Sequence, residues 1–288
     1  MSNLPSQLPR LIVNADDFAL TSGVNRSVSE LFHQGCLTST TLMAGGNTFQ
    51  DAVLTASHCP GLGVGCHVVL VDGNPSAPPD NVPSLLTPQG TLRSSLANFV
   101  FDLQRGRIHE DHIEIEAEAQ IRRLQQAGIN VSHVDTHKHT HLFPRVARPL
   151  MRAAKRCGVA AIRNPFEPSW SARLTRGAMI RKLEVAALRN FSSTFRKLLR
   201  ASGLRSTDGS IGVSATGNLD AANLQRLLRD MPSGTWELVC HPGYNDTELN
   251  QIRTRLRDTR DVERKALSNL IAEAASSNRI QLLTFHDI

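Results

Sequence analysis

Short apolar, β-branched runs alternate along the chain with longer amphipathic stretches, the pattern of strands feeding helices in an α/β fold. Seven runs predict strands: Leu11 to Asn14, Ser39 to Met43, Val64 to Leu70, His133 to His137, Ala160 to Arg163, Trp236 to Cys240 and Gln281 to Phe285. Between the first two, Ser22 is placed to cap a helix whose Val24, Val28, Leu31 and Phe32 share one face, and Gly35 ends it. The same logic predicts helices near Phe49 to Ala56, Ile113 to Ala127 and Val146 to Arg156, with Gly128 and Gly158 as stops. The proline-rich stretch from Asp72 to Gly90 suits neither element and reads as a long surface loop beside the third strand. Seven strands suit a barrel. With no internal repeat and no linker, residues 1–288 read as a single domain carrying an irregular, basic insertion at about 167–217.

Composition narrows the class. Of 288 residues, 40% are hydrophobic and 20% charged, which gives a globular chain enough apolar side chains for a core without cross-links. The five cysteines form no CxxC pair, so neither a disulfide framework nor a thiolate zinc site is implied. Met1 to Arg10 lacks an apolar signal core and no apolar run approaches about 20 residues, so a cytoplasmic protein is expected.

The net charge of +6 is uneven: nine basic residues lie between Ser171 and Arg205 against one acid, Glu184. Within that stretch, Ile180, Leu183, Ala187, Phe191, Phe195 and Leu198 fall near helical spacing. Residues 179–200 therefore read either as a basic amphipathic helix lying on an anionic membrane or as an outer barrel helix with a solvated basic face. With one Tyr and two Trp, stacking on nucleic acid has little support, and no nucleic-acid partner is expected.

The chemistry gathers at strand ends. Asn14-Ala15-Asp16-Asp17-Phe18 closes an apolar run with two adjacent carboxylates, and in parallel α/β folds catalytic groups collect at C-terminal strand ends. Taken alone, the pair also suits a helix cap and a turn residue. His67 sits in a small, apolar segment, where a lone histidine is more often a satisfied core residue than a ligand. His133 to His141 then holds four histidines in nine residues, and alternation turns His133, Asp135, His137 and, where the strand runs on, His139 to one face. His241 ends another strand. Carboxylate and imidazole donors at several strand ends are the ingredients of a metal-dependent hydrolase. Cys66 and Cys240 directly precede site histidines, so alternation turns them away from the site, and no GxSxG elbow, P-loop or dinucleotide fingerprint occurs.

Asn14-Ala15-Asp16-Asp17-Phe18, Thr38-Ser39-Thr40-Thr41-Leu42-Met43, Gly65-Cys66-His67, Asp135-Thr136-His137-Lys138-His139, Ile162-Arg163 and Glu237-Leu238-Val239-Cys240-His241-Pro242-Gly243 follow one another across nearly the whole chain. In this order and spacing they resemble the YdjC-like family of carbohydrate deacetylases, which includes chitooligosaccharide deacetylases and hopanoid-associated glycolipid deacetylases. The resemblance implies an irregular (β/α) barrel that hydrolyses the acetamide of an N-acetylated amino sugar, a chitooligosaccharide or an N-acetylglucosaminyl glycolipid, with release of acetate. It implies that Asp17, His67 and His137 bind one divalent metal, that Asp16 is the general base and that His241 is the general acid. Asp135 and His139 are then expected to orient His137 by hydrogen bonding. Arg163 is expected to contact substrate, with a structural ion pair as the alternative.

One carboxylate and two imidazoles suit zinc, with cobalt, manganese, iron and magnesium as alternatives. A glycolipid substrate would fit peripheral contact with the inner membrane face through 179–200, and a homodimer is compatible with the reading. Ala19 stands where the family usually has glycine, and Cys66 where an aliphatic residue is common. Positive φ is costly for Ala, so the turn presenting Asp16 and Asp17 is where a difference is expected. Two rival readings remain: another barrel metallohydrolase, an amidohydrolase or phosphoesterase built on His137, His139 and His141, and a non-catalytic binder of anionic surfaces through the basic segment.

Overall fold

The structure, a computed structural model, describes residues 8–175 and 189–288. Along the chain run β1 (Arg10–Phe18), α1 (Ser22–His33), β2 (Ser39–Leu42), α2 (Phe49–Ser57), β3 (Gly63–Val68), α3 (Leu96–Gln104), α4 (Glu110–Gln126), β4 (Val131–Thr136) and α5 (Pro144–Arg156). There follow α6 (Ser169–Leu174), α7 (Ser192–Ser202), β5 (Gly209–Ile211), α8 (Ala221–Arg229), β6 (Thr235–Cys240), α9 (Thr247–Gln251), α10 (Thr259–Ser276) and β7 (Gln281–Leu282). All strand pairs are parallel, in the order β4-β3-β2-β1-β6-β5, with β7 beside the start of β1. Beyond β4 the ring continues through two single bridges, Val134 to Ile162 and Ala161 to Arg205, into the chain that becomes β5. The sheet thus curls into an irregular (β/α) barrel.

Three expectations change. Ala160 to Arg163 makes only those bridges, because Pro165, two residues on, supplies no N–H to a ladder. In its place stands β5, whose three residues, Gly-Ser-Ile, are too short to show a period. The cap of α1 is Thr21, one residue earlier than expected, and its hydroxyl accepts the Val24 N–H at 3.2 Å. The 72–90 loop is more anchored than its prolines suggest: Ala77, Val82 and Leu85 are buried, and Glu116 accepts the N–H groups of Ser76 and Ala77.

Alternation along the strands sorts the two sides of the sheet. Val13, Ala15, Cys66, Val134, Leu238 and Cys240 join the apolar layer beneath the helices, which puts both strand cysteines on the side away from the site. The barrel interior is layered. At its base Ile12, Ala161 and Phe285 form a separate apolar plug. His133 stacks on Phe285 with ring centroids 3.7 Å apart. Gly65 leaves room for that ring, since a Cβ there would lie 2.4 Å from it. His133 therefore faces inward as alternation requires, but belongs to the layer below the chemistry. Above it the interior turns polar.

Of the basic segment, residues 179–188 lie outside the described residues. The remainder includes α7, which buries Phe195 against Phe166, with ring centroids 5.6 Å apart, and exposes Arg196, Lys197 and Arg200. Among the described residues, no helix is long and apolar enough to cross a membrane.

Candidate active site

Two consecutive aspartates reach the same site because β1 breaks its alternation at the end. Asp16 points inward from the strand, and strict alternation would send Asp17 to the helix layer. Instead Asp17 takes a left-handed backbone, φ 65°, and the register against β2 shifts between Ala15 and Phe18. Ala19 is also left-handed, φ 78°, so alanine here occupies the strained conformation that glycine adopts freely, at about 1 kcal/mol. Asn25 holds the turn by accepting the Ala19 N–H at 2.9 Å.

Across the barrel, β3 and β4 set His67 opposite Asp135 in register. Asp135 Oδ1 lies 2.7 Å from His67 Nδ1, which turns Nε2 toward Asp17 Oδ1 at 3.5 Å. The expected helper of His137 thus serves His67 instead. His137 leaves the strand at its tip, where Lys138 and His139 both take positive φ and end the alternation expected through His139. Its Nδ1 comes to 3.3 Å from Asp17 Oδ1 and 3.3 Å from His67 Nε2. His139 is buried in the same turn, its ring 6.2 Å from that of His141. His141 is tied to Thr136 Oγ1 at 2.6 Å.

These distances test whether a metal fits. Donors about 2.1 Å from a common centre in a tetrahedral array lie about 3.4 Å from each other. The three donors of Asp17, His67 and His137 span 3.3, 3.3 and 3.5 Å. Asp17 Oδ1 is buried and makes no hydrogen bond, an oxygen left for a cation. The set fits a divalent ion. A second convergent group, Asp16, His67 and Asp135, already holds a cation of its own, the Arg163 guanidinium. Neither group includes His139 or His141, so the three-histidine arrangement is not the one that forms among the described residues.

Of the two roles expected for Arg163, substrate contact and structural ion pair, the geometry is that of the ion pair. Arg163 is 0% exposed and donates to three carboxylates: Asp16 in bidentate fashion at 2.8 and 2.6 Å, Glu237 through Nε at 2.7 Å, and Asp135. No face is left for a ligand. Asn14 Nδ2 and Thr41 Oγ1 also donate to Asp16 Oδ1, at 2.9 and 3.2 Å. His241 Nε2 approaches Asp16 Oδ2 to 3.8 Å from the end of β6, and Glu263 accepts its backbone N–H at 2.6 Å. On the far side, Arg260 Nη2 donates to Asp17 Oδ2 at 2.6 Å.

The charges follow. Burial opposes ionisation of Asp16, but the Arg163 guanidinium overrides it and holds the carboxyl far below the usual range. Asp17 is likewise held down against burial, first by Arg260 and then by the two histidines. Burial also opposes charge on His67, yet Asp135 pushes it up to about 10. His241 moves the other way: burial takes it down to about 4 despite Asp16 and Asp17. At neutral pH His241 is therefore unprotonated at rest.

Arg260, Glu263 and the roles of Asn14, Thr41 and Glu237 were not anticipated. The last three had a signal, a polar residue at an inward position of an apolar strand. Arg260 and Glu263 had none, since they arrive from a helix 243 and 22 residues away from their partners.

Residues 10–275 match the family model described as YdjC-like protein. A carbohydrate deacetylase of Thermoanaerobacter pseudethanolicus is 29% identical over 259 residues, 90% of each chain. A carbohydrate deacetylase of Mus musculus is 32% identical over 253 residues, covering 82% of this chain and 78% of the relative. A chitooligosaccharide deacetylase of Enterobacter sp. strain 638 is 35% identical over 152 residues, 52% of this chain and 57% of that one. The barrel is shared with a crystal structure from Enterococcus faecalis V583, a protein provisionally assigned to cellobiose-phosphate cleavage, at a TM-score of 0.78 and 22% identity over 98% of this chain and 99% of that one. The family match runs from β1 into α10 and takes in every residue of the centre from Asp16 to Glu263, and the chain belongs to the YdjC-like family.

Proposed function

We propose that the protein is a carbohydrate deacetylase that hydrolyses the acetamide of an N-acetylated amino sugar, a chitooligosaccharide or an N-acetylglucosaminyl lipid, with a divalent metal held by Asp17, His67 and His137. The observation that carries the reading is the convergence of those three donors on one bare oxygen, with Asp16 and His241 beside them. The names of the relatives supply the substrate class. Zinc suits one carboxylate and two imidazoles.

A divalent ion held by Asp17, His67 and His137 would supply Lewis acidity for the acetamide carbonyl and would lower the pKa of water toward ~7. Asp16, kept ionised by Arg163, accepts a proton from the attacking water as the new C–O bond forms. Because Arg163 favours the ionised form, that proton does not remain on Asp16. His241, neutral at rest and 3.8 Å away, takes it up and delivers it to the amine nitrogen as the C–N bond breaks. Acetate and a free amino sugar leave. Asp135 meanwhile fixes the His67 ring so that Nε2 is the nitrogen presented.

The test is acetate release from N-acetylglucosamine oligomers and from an N-acetylglucosaminyl lipid, using metal-stripped protein reconstituted with zinc, cobalt, manganese or magnesium. Release that depends on added metal supports the reading, and the preferred acceptor names the substrate. A folded, metal-loaded enzyme that frees no acetate from any of them refutes it.

A further inference from the structure

Arg260 enters the centre from α10, and nothing in the reaction as written uses it. Its side chain is 1% exposed. Nη2 donates to Asp17 Oδ2 at 2.6 Å, whereas Nε and Nη1 are buried with no partner among the described residues. A buried guanidinium with two idle donors is a poor device for stability, because desolvation is compensated at only one corner. The surroundings nevertheless fix it in place. The Gly243 N–H donates to the Arg260 carbonyl at 3.3 Å, and Glu263, on the same helix face, accepts the His241 N–H at 2.6 Å. A Cβ on Gly243 would lie 3.2 Å from Arg260 Cδ, so the loop after β6 rests directly on the arginine stem.

The bond makes the two oxygens of Asp17 unequal. Oδ2 is occupied by Arg260, while Oδ1 makes no hydrogen bond and is the oxygen that lies 3.3 and 3.5 Å from the two imidazole nitrogens. A carboxylate without such a cap can turn both oxygens toward a cation. Zinc is satisfied by four ligands and one carboxylate oxygen, whereas larger, oxygen-seeking cations take six or more and accept both oxygens of one carboxylate.

We propose that Arg260 is a positioning residue that restricts Asp17 to a single ligand oxygen and thereby favours zinc over larger cations that take both oxygens of one carboxylate. The inference rests on the reading of Asp17, His67 and His137 as the metal-holding set, and not on which sugar is the substrate.

The experiment uses the full chain, metal-stripped, titrated with cobalt(II) and followed by visible absorption, then with zinc and manganese by calorimetry, for wild type, R260M, R260Q and R260K. In the wild type the cobalt band is that of a low-coordinate site. In R260M the freed Oδ2 joins the ion, so band intensity falls by about twofold or more and the ratio of zinc to manganese affinity falls about tenfold. R260Q, too short to cap Oδ2, behaves as R260M and serves in its place if the methionine variant does not fold. R260K, which still donates one hydrogen bond, recovers most of the wild-type spectrum and ratio. A purely structural arginine would lower the melting temperature and leave both readouts unchanged. Unchanged cobalt spectra and metal ratios in R260M and R260Q overturn the proposal, as does a wild type that takes up no ion. A wild type that shows the metal pattern but releases no acetate refutes the deacetylase reading and leaves the role of Arg260 standing.

Discussion

Replacing Arg163 by methionine separates the two roles open to it. In the structure it is one cation against Asp16, Asp135 and Glu237, all buried, with no solvent to take over its task. Removing one partner of a buried ion pair costs about 3–5 kcal/mol, because the charge left behind is neither solvated nor paired. Unfolding a 288-residue chain carries an entropy of about 0.6 kcal/mol/K, so the loss lowers the melting temperature by roughly 5–8 °C. Asp16, the proposed base, also loses both of its strongest donors and is no longer held ionised or in place. A fall in kcat of about 100-fold or more follows, with KM little changed. R163K keeps the charge but cannot span three carboxylates, and falls between the two. The assays are calorimetry on metal-stripped protein and steady-state acetate release. A variant that melts within about 1 °C of wild type and raises KM alone would show that Arg163 binds substrate, and would refute the buried hub.

Asp16→Asn and His137→Ala should part company: the first retains metal by calorimetry while turnover falls about 100-fold or more, and the second loses metal and turnover together. Unchanged turnover in the asparagine variant would remove Asp16 as the base. Burial, with Arg163 nearby, holds His133 well below its ordinary ~6.5, so the fold binds the neutral ring and the unfolded chain takes the proton first. The contribution is complete above ~6.5 and is lost as pH falls below it, by up to ~1.4 kcal/mol per pH unit. In His133→Phe, urea unfolding between pH 6.5 and 5 should therefore show a shallower loss of stability than wild type; equal slopes would mean the ring is already charged in the fold.

The strands that carry the site were legible because each is an apolar run interrupted by inward polar residues, and alternation then names the face. Asp16, His67, Asp135 and Glu237 all obey that rule. It fails where the backbone leaves the β region. Asp17 reaches the site only through φ 65°, and His137 begins a turn whose next two residues are left-handed. No pattern of polarity reports those dihedrals in an aspartate or a lysine, although glycine at such a position would have done so. Arg163 was legible as a position, and its role was left open between substrate contact and ion pair. A lone arginine at a strand end looks the same in sequence whether it faces water or three carboxylates, and only closure of the barrel brings Glu237 and Asp16 around it.

The same closure explains why one end of the barrel carries the strain. Of the six non-glycine residues with positive φ among the described residues, five, Asp17, Ala19, Asp72, Lys138 and His139, lie at or beyond the C-terminal ends of β1, β3 and β4, and the sixth, Asn278, follows α10. Left-handed backbone at such residues costs about 1 kcal/mol or more each and persists only where the surroundings hold it. Here the supports are specific: Arg260 on Asp17, Asn25 on Ala19, and the Lys138 to Asp72 ion pair at 3.0 Å joining two of the strained turns. At the opposite end, Ile12, Ala161 and Phe285 form an apolar plug. The barrel thus separates its tasks along its axis. The base contributes apolar burial, which offsets the buried charge and backbone strain at the mouth, and that strain places Asp17 and His137 where ordinary strand geometry would not.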